Sequence, residues 1–135
     1  MENLVADDLT IVATEGTEGT EGTEGTEATA GTLVLTWRGK SDDRHPARIL
    51  GPYFASVLDH AASRHGAVEM HFEKLEHFNS ATIAVVIRLI QDARTRGVRL
   101  VLVHDPALTW QKLSFDALRI FARDDLLELR PAPKA

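Results

Sequence analysis

The sequence predicts an α/β protein with a mixed, mostly parallel sheet of about five strands and three or four helices. Three observations carry that expectation. From Leu33 onward, strand-like and helix-like apolar patterns alternate, which is the order of parallel βαβ units with right-handed crossovers. Two short runs, Leu9 to Ala13 and Leu33 to Trp37, are suited to a hairpin that leads into those units. Val98 to His104 is almost continuously apolar, as a central strand covered on both faces should be.

Leu9-Thr-Ile-Val-Ala13 reads as an edge strand. Four copies of Thr-Glu-Gly follow from Thr14 to Gly25, continued by Thr-Glu-Ala-Thr-Ala-Gly to Gly31. Such a repeat has no apolar residue to bury and its glutamates repel one another, so a mobile, solubilising loop is expected. Leu33 to Trp37 should pair antiparallel with the first strand across this loop. Pro46 is a common first helical residue, and Leu50, Phe54, Val57, Leu58, Ala61 and Ala62 make an amphipathic helix to His65, closed by Gly66. Pro52 predicts that this helix is kinked or starts there.

Val68, Met70 and Phe72 alternate with Glu69, His71 and Glu73, a strand with one buried face. After Asn79 and Ser80, Ile83, Val86, Ile87 and Ile90 form an apolar stripe widened by Val85, Leu89 and Ala93; Arg88, Gln91, Asp92 and Thr95 are polar, and Gly97 ends the helix. A third helix is predicted over about Thr109 to Asp125 with Trp110, Leu113, Ala117 and Phe121 inward, then a last edge strand from Leu126 to Arg130. The organisation expected is an edge strand and acidic repeat over 1–32, one domain over 33–130 and a frayed end over 131–135.

The length suits one domain, and the apolar share of 44% is enough for a proper core. There is no cysteine, which removes disulfides, thiolate metal sites and cysteine nucleophiles together. With no secretory signal pattern and no stretch near the ~18 apolar residues of a membrane span, a cytoplasmic protein is expected. The net charge of −5 divides unevenly. Residues 1–37 hold eight acids and no Lys or Arg, whereas residues 38–135 hold 15 bases and 12 acids. Those bases are interleaved with acids rather than gathered on a stripe with aromatics, so nucleic acid is not the expected partner.

Enzyme chemistry finds little support. Neither G-x-x-x-x-G-K-S/T nor G-x-G-x-x-G occurs, and the six histidines show no H-E-x-x-H spacing. A composite metal site from His71, His77 and His104, or a Ser80 nucleophile served by His77, would need the fold to converge those groups. No cofactor and no catalytic residue is expected.

The informative stretch is Phe78-Asn79-Ser80-Ala81-Thr82-Ile83. Asn79 and Ser80 are residue types that cap helices, and hydroxyls at a helix start sit where free N–H groups and the helix dipole favour negative charge. Taken with the strand before it and the apolar helix, Gly97 and strand after it, this corner resembles the centre of the STAS domain, the anti-sigma-factor-antagonist family of bacterial partner switches. The resemblance covers roughly residues 33–129. In that family the corner reads Asp-Ser-Ser/Thr-Gly-Leu, and its second hydroxyl residue is phosphorylated by a partner kinase. The family's Asp matches Asn79 and its first Ser matches Ser80, but the acceptor position falls on Ala81 and the Gly position on Thr82. The remaining hydroxyls, Ser80 and Thr82, become the phosphorylation candidates.

What the resemblance implies is a non-enzymatic regulatory module in signal transduction. It would dock a protein partner, an anti-sigma-type kinase or a phosphatase, through Asn79, Ser80, Ala81 and Thr82. A homodimer is compatible with it, and a constitutive adaptor without a phosphate switch is the alternative. Trp110 and Phe115 join the expected partner surface on separate grounds. They lie about 140° apart around the third helix, so both cannot point into a one-sided sheet.

Overall fold

A computed structural model describes residues 1–15 and 31–133. The elements in order are β1 (Leu4–Ala6), β2 (Leu9–Glu15), β3 (Leu33–Ser41), α1 (Ala47–Ser63), β4 (Val68–His71), β5 (Leu75–Phe78), α2 (Ser80–Thr95), β6 (Leu100–His104), α3 (Thr109–Leu118) with a 3-10 turn at Arg119–Phe121, and β7 (Leu127–Pro131). One mixed sheet runs β1-β2-β3-β4-β6-β7, with β5 also paired to β3. β1, β2 and β3 are antiparallel neighbours, and β3, β4, β6 and β7 are parallel, with β5 parallel to β3.

The α/β class and the mostly parallel mixed sheet are as the sequence predicts. The described residues hold seven strands rather than about five, for two reasons. Leu4–Ala6 adds a short strand outside β2, so β2 is not the edge. The strand expected after Gly66 is also broken in two: β3 pairs with β4 through Leu33 to Thr36 and with β5 through Gly39 to Ser41. At the break, the chain turns so that Phe72 is wholly buried. Gln111 of α3 fills the gap: its side-chain Nε2 donates to the Phe72 carbonyl at 2.6 Å and the Leu75 carbonyl at 3.2 Å. Its Oε1 accepts from the Asp105 N–H at 2.8 Å. A side-chain amide thus does what a sheet ladder would otherwise do for buried backbone groups.

All three helices pack on one face. Leu50, Phe54 and Val57 of α1, Val86 and Ile90 of α2, and Phe115 of α3 share one core with the inward strand residues Ile11, Leu35, Met70 and Leu102. Trp37, Phe72 and Phe115 form its aromatic centre, at ring separations of 4.8 and 5.1 Å. The other face of the sheet carries the row Val12, Thr36, His71, Val103 and Arg130, one residue from each strand from β2 to β7 along the main path.

Element by element, α1 buries the expected Leu50, Phe54, Val57, Leu58 and Ala61. It runs from Ala47 through Pro52, which is exposed, so the helix does not start there. Gly97 takes φ +69°, the left-handed conformation that ends α2. Two helix registers differ from expectation. In α2 the buried residues are Thr82, Val86, Leu89, Ile90 and Ala93, and Ile83 and Ile87 lie only half-buried at its flank. In α3 the helix buries Gln111, Phe115 and Leu118, leaving Leu113 66% exposed. Both corrections have one cause: a polar residue, Thr82 or Gln111, begins the buried stripe because its hydrogen bonds are made inside. The acidic repeat expected to be a mobile loop lies, apart from its two ends, outside the described residues. Among the described residues no helix is long and apolar enough to cross a membrane.

Candidate functional site

The end of β3, the end of β5 and the start of α2 meet at Asn79. Ser41 and Phe78 are register partners, and the Asn79 N–H donates to the Ser41 carbonyl at 3.0 Å. Asn79 is extended at φ −89°, ψ 174°, the conformation of a residue entering a helix. Its Oδ1 accepts from the Thr82 N–H at 2.9 Å and from the Thr82 hydroxyl at 2.8 Å. Its Nδ2 donates to the Asp43 carbonyl at 2.8 Å, which fixes the amide orientation. With the Thr82 proton directed to Asn79, the 2.7 Å contact between the Thr82 and Ser41 hydroxyls is donated by Ser41. One asparagine therefore ties the loop after β3 to the first turn of α2.

This bracing separates the two hydroxyls that the sequence offers together. Thr82 is fully buried, its hydroxyl held by Ser41 and Asn79, so it anchors the corner and is not a surface acceptor. Ser80, the first residue of α2, is exposed, and Ala81 is half-buried. Trp110 joins the corner: its ring meets Phe78 edge-on at 5.1 Å and lies 5.9 Å from that of His77, and the residue is half-buried. Phe115 does not join it. It is 1% exposed and packs between Phe72 and His104, the latter stacked at 4.9 Å, so it is removed from the expected partner surface. Of the two aromatics, Trp110 is the one that reaches the outside. On the other side of the corner, Ser41 and Asp43 also line a shallow, open depression together with Leu9, Pro46 and Leu50.

The other constellations are dispersed. His71 lies on the helix-free sheet face, His77 against Trp110, and His104 inside against Phe115. No group of three or more His, Cys, Asp or Glu placed to hold a metal occurs among the described residues. Nor is His77 hydrogen-bonded to Ser80 there, so the two do not form a nucleophile and base. His71 stands apart for its partners. Its Nε2 bonds Glu69 at 2.8 Å and its Nδ1 bonds Glu73 at 3.0 Å. Burial alone would push this imidazole down, but the two carboxylates outweigh it and raise its pKa to about 9. Arg130 and Arg99 extend the network through Glu128. Every group here is matched by an opposite charge, as in a structural ion cluster.

Sequence reasoning misses Ser41 and Gln111. Ser41 gives no local signal, because it matters only through a residue 41 positions away. Gln111 gives one: it falls at i, i+4 and i+7 with Phe115 and Leu118, and a glutamine in such a row is buried only if its amide is satisfied. Comparison of the chain with protein-family models and with curated proteins found no match.

Proposed function

We propose that the protein is a non-enzymatic regulatory module of the STAS type, of the kind used in bacterial partner switching. It docks a protein partner through the Asn79 corner and Trp110. Supporting this most directly is the corner itself: an exposed Ser80 at the start of a 16-residue helix, held rigid by Asn79 and flanked by an accessible indole. Rigid exposed aromatics make effective interface anchors, because little side-chain freedom is lost when they are covered. Ser80 is the acceptor in the switch form of the reading. A phosphate there would sit at the helix start, tolerated by the fold, and its ~1.5–2 negative charges would have to be desolvated or paired when a partner docks.

The second reading is a constitutive adaptor with the same docking surface, favoured by Ala81 at the position where the resembled family carries its acceptor. Phosphosite mapping of protein purified from native cells under several growth conditions separates the two. Phosphate on Ser80 supports the switch. An unmodified Ser80, together with unchanged partner affinity in Ser80→Ala, leaves the adaptor.

A further inference from the structure

Of the stripe that the sequence places inside α3, Leu113 and Ala117 are on its outside, while Trp110 and Phe121 are half-buried against the core. Trp110 is half-buried, Leu113 is 66% exposed, Ala117 is exposed and Ile120, in the 3-10 turn, is 71% exposed. The steps between them are three, four and three residues. Apolar residues at that spacing form the a and d seam through which one helix packs along another. The inward face of α3 is satisfied separately by Gln111, Phe115 and Leu118, so α3 carries two faces and its own fold uses one.

From this we infer that the outer seam of α3 docks an amphipathic helix of a partner protein, one with apolar a and d positions and acidic flanks. The spacing argues for a helical occupant, since an extended strand or a flat surface does not match a three-four repeat. Charge argues for its flanks. Beside the seam, Lys112 and Arg119 share the single carboxylate of Asp116, at 2.9 and 3.2 Å, leaving one positive charge in excess on a flank where both cationic side chains are more than half exposed. The same pattern disfavours a second copy of the chain. Two α3 helices packed antiparallel about a two-fold axis near residue 115 would bring Lys112 of one beside Arg119 of the other.

The seam is about 15 Å long at 1.5 Å per residue, too short alone for a stable interface of roughly 800 Å² per partner. It is continuous with the docking corner through Trp110, whose ring touches Phe78. The inference therefore deepens the docking reading: α3 gives the partner's helix a track and the corner gives it an end.

A phage-displayed library of single helical peptides, randomised at a, d, e and g positions, tests this on the full chain. Clones enriched for apolar a and d residues with Glu or Asp at the flanks are expected. Their affinity should fall tenfold or more for Leu113→Asp and for Ile120→Asp, and for Leu113→Ser should either variant fold poorly, with melting temperatures showing which variants remain folded. Failure to enrich any clone, or clones that bind these variants as well as the wild type, would overturn the seam as a helix site. A wild type that dimerises in sedimentation equilibrium and becomes monomeric on Leu113→Asp would overturn the choice of occupant. The Ser80 reading is scored apart: peptide binding at α3 uses an unmodified Ser80, so its failure leaves the phosphosite result standing, and the reverse also holds.

Discussion

Thr82 and Ser80 lie two positions apart and are chemically alike, yet the corner assigns them opposite roles. Removing the Thr82 hydroxyl leaves the buried Ser41 hydroxyl and one lone pair of Asn79 short of a partner. Thr82→Val should therefore cost about 1–3 kcal/mol in urea unfolding, the usual cost of an unsatisfied buried polar group. Ser80→Ala, at an exposed site away from that network, should stay within about 0.5 kcal/mol. Equal effects would mean that the hydroxyl chain from Ser41 to Asn79 does not exist as described. Gln111 makes a sharper case, because it serves two backbone groups at the broken strand and a third just after β6. Gln111→Leu keeps the volume but leaves the Asp105 N–H without its partner and the Phe72 carbonyl with only the Leu75 N–H, so a loss of about 1–3 kcal/mol is expected. Hydrogen exchange at Asp105 should quicken in the same variant.

Helices were legible in the sequence wherever apolar residues alone set the register, as in α1, whose buried residues match the expected stripe. They were misread where a polar residue occupies the buried line. In α2 the stripe reading centres on Ile87, but Thr82 draws the inward face toward Leu89, leaving Ile87 half-buried. Leu89→Ala should accordingly cost about 2–5 kcal/mol by burial and cavity formation, and Ile87→Ala clearly less, read from the same denaturation curves. The reverse order would restore the stripe centred on Ile87. The corner was legible as a helix start, because Asn and Ser before an apolar run are local signals. Which hydroxyl faces out was not, since that depends on Ser41 arriving from another strand. The break between β4 and β5 was hidden for a similar reason: Glu73 and Lys74 look like the end of one strand, whereas the turn there rests on the Leu75 N–H to Phe72 carbonyl bond, on pairing with β3 and on the amide of Gln111 from a distant helix.

At the scale of the whole molecule, one face of the sheet is stabilised by apolar helices and the other by charge. The helix-free face is tied across β4, β6 and β7 by Glu73, His71, Glu69, Arg130, Glu128 and Arg99, and its pH response follows from His71. Its pKa in the fold, about 9, is above the 6.5 of an unperturbed histidine, so its contribution is full below about pH 6.5. That contribution declines as pH rises and is gone above about 9. Stability in urea should fall between about pH 7 and pH 9.5, and the fall should flatten in His71→Gln. Glu73 has the opposite sign. Burial raises its pKa, but the hydrogen bond and charge of His71 outweigh that and hold it below the usual value, so its share is lost on acidification. A wild type no less stable at about pH 9.5 than at about pH 7 would contradict the network.

The central claim is that this architecture presents the Asn79 corner to a protein partner, and the affinity of the natural partner for Ser80 variants tests it most directly. With the partner recovered from native lysate and purified, binding to the wild type, Ser80→Asp and Ser80→Arg should be measured by calorimetry alongside melting temperatures. The expected result is a tenfold or greater loss for Ser80→Arg, which puts a long charged side chain on the contact surface, and a severalfold or greater change for Ser80→Asp, with all three proteins melting within a few degrees. Unchanged affinity in both variants, with the fold intact, would show that the partner binds elsewhere and that the corner is only a well-made helix cap.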